Sequence, residues 1–329
     1  MAKVDGLAKA SILDINGITI TPPGINPDAA TSGFLFTYSG AAAAYSVRQL
    51  NNNAPYVLRV RRVTGTGNTG NDDEADVKFD TTLTDPTISL DSPVDNFSAG
   101  GSNATTLGEF LNVGTVGGTT YSDADSLSPN TAEAYATTWY DLTGNQNHAE
   151  QTTPASQPQI HSGTVNTDLI TENGKPAVQF DGSNDYLSLT STAVTNSVCQ
   201  ILVSVYDTSV SSFKMPIAGA TTWWQHYSAN RIRINTTSGQ ILFATGLSAG
   251  TQYLGFMNGN SGAYTFHLNG TSKYSGTLGN WYIDTIGRGL NSNTYAFNDP
   301  IQEVILYESE KSSSRTGIET DINGFFGIY

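Results

Sequence analysis

The sequence predicts an all-β protein: an antiparallel β-sandwich over residues 38–329, preceded by an extended arm over residues 1–37. Two observations predict it. Only 13% of the 329 residues are charged, about half the share usual for a soluble domain, and 33 glycines with abundant Thr, Ser and Asn take their place, as turn-rich β structure requires. From Tyr135 onward short apolar runs recur at sandwich-like intervals: Ala177–Phe180, Gln200–Tyr206, Arg231–Ile234, Tyr253–Phe256, Tyr264–Leu268 and Gln302–Tyr307. Between them stand Asp181-Gly182-Ser183-Asn184, Asn258-Gly259 and Asn269-Gly270, turn sequences that tolerate positive φ.

Taken in order, the first element is a repeat. Lys3-Val4-Asp5-Gly6-Leu7 returns eleven residues later as Asp14-Ile15-Asn16-Gly17-Ile18, two small turn dipeptides between apolar residues. Such strand-turn units cannot bury an apolar face alone, so Val4, Leu7, Ile12, Ile15 and Ile18 are expected to dock on neighbours, making residues 1–37 an assembly arm. The Ala-rich run Ala41–Leu50 predicts a short helix ending before Asn51-Asn52-Asn53. Tyr56–Arg61 alternates after Leu58 and predicts a half-buried strand with Arg59 and Arg61 on one face. Residues 64–134 carry few apolar runs and predict a loop-rich insertion, with one helical turn at Thr105–Leu111. Ile318, Ile322 and Phe325 recur at i, i+4 and i+7, predicting an amphipathic helix within Ser312–Phe326.

Charge narrows the partners. Fifteen Lys and Arg against 29 Asp and Glu leave 15 − 29 = −14, a field that repels nucleic acid and anionic lipid. No stretch approaches the roughly 20 apolar residues of a spanning helix, and no basic-then-apolar signal order is visible, so neither membrane insertion nor Sec export is expected. One cysteine, Cys199, and four histidines predict neither a disulfide nor a zinc site. Asp72, Asp73, Glu74 and Asp76, and Asp123 with Asp125, supply oxygens of the kind calcium takes. Neither cluster has a calcium-loop spacing, so solvated acidic turns are expected, with no metal and no cofactor.

Three strings carry a resemblance. Ala44–Leu50 with Val57–Arg62, Thr137-Thr138-Trp139-Tyr140-Asp141-Leu142-Thr143-Gly144-Asn145-Gln146-Asn147-His148-Ala149, and Asn173–Leu187 resemble the catalytic domain of family 54 glycoside hydrolases, the α-L-arabinofuranosidases. The last string is similar to the strand-turn of concanavalin A-like (laminin-G-like) jelly rolls. The resemblance implies a jelly roll with a glutamate nucleophile and an aspartate acid, the two carboxylates of retaining hydrolysis. Residues 197–243, where the glutamate should fall, hold only Asp207, and Leu290 stands at the aspartate position in Ile286–Asn293. The family's adjacent cysteine pair is missing too. Both catalytic positions are vacant, so no enzyme activity is expected. Val4–Ile12 and the terminal Glu303–Tyr307 and Ser313–Asn323 resemble the ends of bacteriophage virion proteins that carry laminin-G-like domains.

The best ligand-binding string is Thr221–Tyr227. Sugars stack on rings while amides and imidazoles bond their hydroxyls, so Trp223, Trp224, His226 and Tyr227, with Tyr295, are the carbohydrate-binding candidates. One of two adjacent strand tryptophans must face away from the core. Trp139–His148 is chemically dense, and a turn bonded by its own Asp and Asn side chains explains it. These features predict a structural, surface-displayed component of a bacteriophage particle, a decoration or fibre protein. Its partners would be other virion proteins, copies of itself and host-surface polysaccharide, and its location the virion exterior. The alternatives are a glycan-active hydrolase using Glu303, Asp299 and Asp207, and a cell-surface lectin.

Overall fold

The computed structural model describes residues 13–15, 18–20, 32–64, 70–98, 102–122, 132–189, 198–206, 213–227, 230–260, 262–279, 281–289 and 291–329. Two antiparallel sheets face one another. The first runs in the order Thr271–Thr277, Ala263–Leu268, Gln252–Asn260, Cys199–Val205, Pro300–Tyr307, Ala41–Ser46. The second is longer: Val94–Asp95, Glu74–Val77, Leu58–Val63, Glu133–Trp139, Ala149–Glu150, Leu187–Leu189, Thr285–Ile286, Lys214–Ala218, Trp223–Tyr227, Arg231–Thr236, Gly239–Ala244. Gln159–Ser162 and Val178–Gln179 link them, pairing in turn with Glu133–Trp139, with each other and with Pro300–Tyr307. The result is a large curved antiparallel sheet folded over one core, as the composition predicted.

Alternation decides which side chains meet between the sheets. Trp224 and Phe243 on the second sheet meet Phe266 on the first, with ring centroids 4.8 Å and 4.6 Å apart. At the other end Trp139 lies 6.2 Å from Tyr45. Gly255 is required here, because a Cβ would stand 2.4 Å from the Trp224 ring. All seven residues of Cys199–Val205 are buried, as expected of a strand covered on both faces.

The helix Arg315–Phe326 closes the chain. It buries Ile318, Ile322 and Phe326 and packs on Gln252–Asn260. Each such side chain contributes roughly 2 kcal/mol of burial, and Ile322→Ala would cost about 2–5 kcal/mol. The helix ends at Gly327 in the left-handed region (φ 63°), whose N–H donates to the Asn323 carbonyl at 2.8 Å. A buried ion pair pins it. Arg48 donates to the fully buried Glu303 at 2.7 Å and to Asp321 at 2.6 Å, and its guanidinium lies 5.0 Å from the Phe34 ring.

Four expectations are corrected. Ala41–Ser46 is a strand, paired with Pro300–Tyr307, and not the start of a helix. Small side chains let it lie close under the next turn, where the Ala44 N–H donates to Asp141 at 2.9 Å, and pairing overrides alanine's helix preference. Asn258-Gly259 is no turn but part of Gln252–Asn260, where the bare Gly259 Cα accommodates the Tyr264 ring. The strand Leu58–Val63 is buried on both faces, because Arg61 and Arg62 are themselves buried. Residues 64–134 are more than loops: Glu74–Val77 and Val94–Asp95 extend the second sheet. The helical turn there is Leu107–Leu111, opened by a capping box between Thr106 and Glu109.

In the arm, Leu13–Ile15 pairs with Ile18–Ile20 as the repeat predicted. Val4, Leu7 and Ile12 lie outside the described residues, as do Asp123, Asp125, Asp207 and Leu290. No helix among the described residues is long and apolar enough to cross a membrane.

Candidate glycan-binding cleft

The cleft with the most converging polar groups lies on the face of the second sheet turned away from the core. Leu58 and Val60 point inward, so Arg61 points outward, and Tyr135 does the same between Ala134 and Ala136. Register aligns the rest: Arg61 stands opposite Tyr135, Tyr135 opposite Gln159, and Gln159 opposite Gln179. Three steps of about 4.8 Å make a polar row of roughly 14 Å. Its walls are Glu133 and Val63 alongside, Pro154, Ala155 and Gln157 above, and Asp181 with Asp185 at one end. They enclose a volume of about 420 Å³.

Three of the four groups in the row are held by local bonds. Arg61 donates to Gln157 at 2.7 Å, Asp72 at 2.6 Å and the Pro154 carbonyl at 3.2 Å, and its guanidinium lies 5.2 Å from the Tyr135 ring. The Tyr135 hydroxyl donates to Glu133 at 2.7 Å. Gln179 donates to the Phe180 and Asn298 carbonyls at 2.6 and 3.0 Å. Gln159, midway along the row, has a side-chain amide with no partner among the described residues, leaving one donor and one acceptor group open to a ligand.

The acidic end follows from turn chemistry. Asp181 begins the turn Asp181–Asp185 and accepts from the N–H groups of Ser183, Asn184 and Asp185 at 2.8, 3.1 and 3.2 Å. The Asp181 N–H in turn donates to Asp185 at 3.0 Å. Burial, with the Asp181 charge beside it, pushes the Asp185 carboxyl up to about 7. Near neutral pH the cleft therefore holds a carboxyl that both donates and accepts protons, beside two other acids.

The five carbohydrate candidates do not share one exposed surface. Trp224 is fully buried in the core. His226 is buried too: its ring stacks on Tyr206, its Nε2 lies 2.7 Å from the Tyr253 hydroxyl, and burial pushes it down to about 3, so it stays neutral. Both are removed from the surface by the same alternation that turns Trp223 and Tyr227 outward. Those two are half-buried, and Arg233 covers the Tyr227 ring at 4.0 Å. Tyr295 sits half-buried in the separate turn Asn293–Tyr295.

The other candidates fall into structural roles. Asp141 accepts from the N–H groups of Ala44, Thr143 and Asn147 and from the Thr143 hydroxyl, at 2.7–3.1 Å, as a turn-forming aspartate does. His148 accepts the Asp141 N–H at 3.1 Å. The cluster expected to be solvated is instead paired: Asp72 with Arg61, Asp73 with Arg62, and Glu74 and Asp76 with Arg59. Among the described residues no group of His, Cys, Asp and Glu is placed to hold a metal. Glu303 and Asp299 are buried, and Glu303 is occupied by Ser46 and Arg48. Where the late loop meets the strand Lys214–Ala218, the Gly287 N–H donates to the Pro216 carbonyl at 2.7 Å, and the Met215 thioether fills the space over Gly289.

The fold places the chain among the jelly rolls. No protein-family model matches it, and no curated protein matches its sequence. A family 54 α-L-arabinofuranosidase soaked with a cyclic sulfate inhibitor matches with a TM-score of 0.51 and 11% identity, over 86% of this chain and 62% of that one. An arabinofuranosidase complexed with arabinofuranosyl-α-1,2-xylobiose matches at 0.48 with 12% identity over the same shares, so this chain spans less than two thirds of those structures. Domain 4 of AbnA, a family 43 extracellular arabinanase from Geobacillus stearothermophilus in complex with arabinotriose, matches at 0.37 with 16% identity over 46% of this chain and 79% of that one. The likeness to the family 54 structure at a TM-score of 0.51 shows a similar jelly-roll fold and nothing of activity.

Proposed function

We propose that the chain is a non-catalytic, glycan-binding jelly roll displayed on a bacteriophage particle, where it contacts host-surface polysaccharide. The observation that carries the binding half is the row Arg61–Tyr135–Gln159–Gln179 with an open amide at its centre. A guanidinium, a phenol and two amides at strand spacing bond successive hydroxyls of an extended polyol and demand no net charge of it. The display half rests on the resemblance of the two chain ends to virion proteins. A glycan array with the purified chain tests the first half: binding should appear and fall at least tenfold on Gln159→Ala, whose side chain supports nothing else. Binding unchanged in that variant overturns the cleft as the site. Peptide mass spectrometry of density-purified particles tests the second half, and absence from particles overturns it.

One observation favours a second reading. Asp185, Asp181 and Glu133 line one cleft, and a carboxyl poised near neutrality suits general acid catalysis. Turnover of aryl arabinofuranosides that disappears in Asp185→Asn would establish a hydrolase, and no turnover would dismiss it.

A further inference from the structure

Of the 29 acidic residues in the chain, none falls between residues 208 and 283, a stretch that holds Lys214, Arg231, Arg233 and Lys273. This acid-free stretch forms one end of the second sheet, up to its edge strand Gly239–Ala244, and continues through Gln252–Asn260, Ala263–Leu268 and Thr271–Thr277 of the first sheet. Arg48, Arg59, Arg61, Arg62 and Arg315 pair with carboxylates, whereas Arg231, Arg233 and Arg288 form no ion pair among the described residues, Arg288 lying over the Tyr186 ring. Arg233 instead lies flat over Tyr227, with Phe213 against the same ring at 4.8 Å, and stands directly opposite Leu242 of the edge strand. Phe213 and Leu242 are 41% and 43% exposed.

The edge strand lacks the usual devices that block pairing. Gly-Gln-Ile-Leu-Phe-Ala contains no charge and no proline, and its ladder to Arg231–Thr236 runs without a bulge. The edge of the first sheet, Thr271–Thr277, differs: it carries Lys273 and a register shift against Ala263–Leu268. The two-residue turn Thr237-Ser238 closes on the pair Thr236 and Gly239. Counting from that hydrogen-bonded pair, the alternation of an antiparallel ladder turns the N–H and C=O of Gln240, Leu242 and Ala244 away from the sheet. Among the described residues the strand is in register with Arg231–Thr236 alone, and Thr271–Thr277 of the facing sheet lies near it without pairing.

We propose that Gly239–Ala244 is a self-association edge, pairing antiparallel with the same strand of a second copy about a two-fold axis. This goes beyond the binding reading and does not depend on it. An antiparallel pair of identical strands is self-complementary. Faces match only when residues of equal parity oppose one another, and pairing of residues 240–244 in full sets Leu242 against its own copy and Ile241 against Phe243 of the second copy. Leu242 then exchanges two hydrogen bonds across the axis. Charge permits pairing here, since each copy carries −14 and Gly239–Ala244 with its neighbour Arg231–Thr236 holds no acid to repel a second copy; Thr271–Thr277 is equally free of acids, and Lys273 with the register shift sets that edge apart. Arg233 stands next to the axis, opposite Leu242, with Tyr227 one strand further in and Phe213 against it, the guanidinium and aromatic groups that interfaces favour.

Light scattering and sedimentation of the full chain at micromolar concentration should give the mass of a dimer. Leu242→Lys, which places two ammonium groups side by side on the axis, should return the monomer with unchanged circular dichroism and thermal midpoint. Leu242→Glu should do the same, and an equimolar mixture of the two variants should recover the dimer. Ser275→Lys on the other sheet edge should leave the mass unaltered. A monomeric wild-type chain overturns the proposal. So does an oligomer that Leu242→Lys leaves intact, which would assign assembly to another surface such as the arm.

Discussion

The two ends of the second sheet are built alike and present opposite chemistry. At the cleft end, around Leu58–Val63 and Glu133–Trp139, the outward row is charged, and Arg59, Arg61 and Arg62 are all saturated by carboxylates. At the other end, around Arg231–Thr236, the outward positions mix Tyr227 and Leu242 with Arg231, Arg233, Asn235 and Gln240, and these arginines lack acidic partners among the described residues. Both rows arise from alternation on strands whose other face is core. What differs is whether the chain supplies walls. Residues 154–157 and 181–185 rise around the first row and make a concavity, while the hairpin Arg231–Ala244 leaves the second flat. A walled polar row suits a small ligand, and an unwalled row that mixes rings, Leu242 and guanidinium groups suits another protein surface.

The largest test of that contrast is the adjacent pair Trp223 and Trp224. Trp224→Ala should cost about 3–5 kcal/mol, since it empties the space between the sheets beside Phe266, and Trp223→Ala should cost about 1 kcal/mol. Denaturant unfolding measures both, and equal costs would break the assignment of faces. Next comes Arg61→Ala. It leaves buried Gln157 and the Pro154 carbonyl without their donor, a loss of about 2 kcal/mol.

The pH dependence separates the ends by sign. Asp185 has its folded pKa raised, to about 7, so its contribution to stability is present in full below about 4 and is lost as pH rises through 7. His226 has its folded pKa depressed, to about 3, so its contribution is present above about 6.5 and is lost as pH falls toward 3. Thermal midpoints should therefore rise on Asp185→Asn relative to wild type at pH 8, and the gap should close toward pH 4. A gap that stays constant from pH 8 to pH 4 would show that Asp185 ionises freely. His226→Gln should flatten the acid limb alone.

Much of the fold was legible because it depends on local pattern. A continuous apolar run such as Gln200–Tyr206 and an alternating one such as Tyr264–Leu268 announce strands whatever their neighbours, and the spacing of Ile318 and Ile322 announces the closing helix. Ala41–Ser46 was not legible, because its conformation is imposed by Pro300–Tyr307, more than 250 residues away in sequence. The cleft was hidden for the same reason. Arg61 and Tyr135 each sit at an outward position that alternation reveals, but the register that aligns them with Gln159 and Gln179 is a property of four strands together. In Trp223–Tyr227 the string does show that alternate residues oppose one another. It does not show that His226 has a shell of Tyr206, Tyr253 and Phe297, which turns an apparent sugar ligand into core.

The smallest expected effect is the sharpest probe of the flat end. Arg233→Ala removes a guanidinium that stacks on Tyr227 and forms no ion pair among the described residues, so in the monomer it should change stability by only about 0.5 kcal/mol. Arg61→Ala, the same substitution at the walled end, should cost several times more. If the edge strand pairs with a second copy, Arg233 lies beside that axis, and its loss should weaken dimerisation while leaving the Leu242→Lys monomer unmoved. Measuring Arg233→Ala in both backgrounds thus isolates what the arginine does between chains from what it does within one. A cost near that of Arg61→Ala in the monomeric background would mean that Arg233 is anchored within its own chain, and that the contrast between the two ends is one of shape alone.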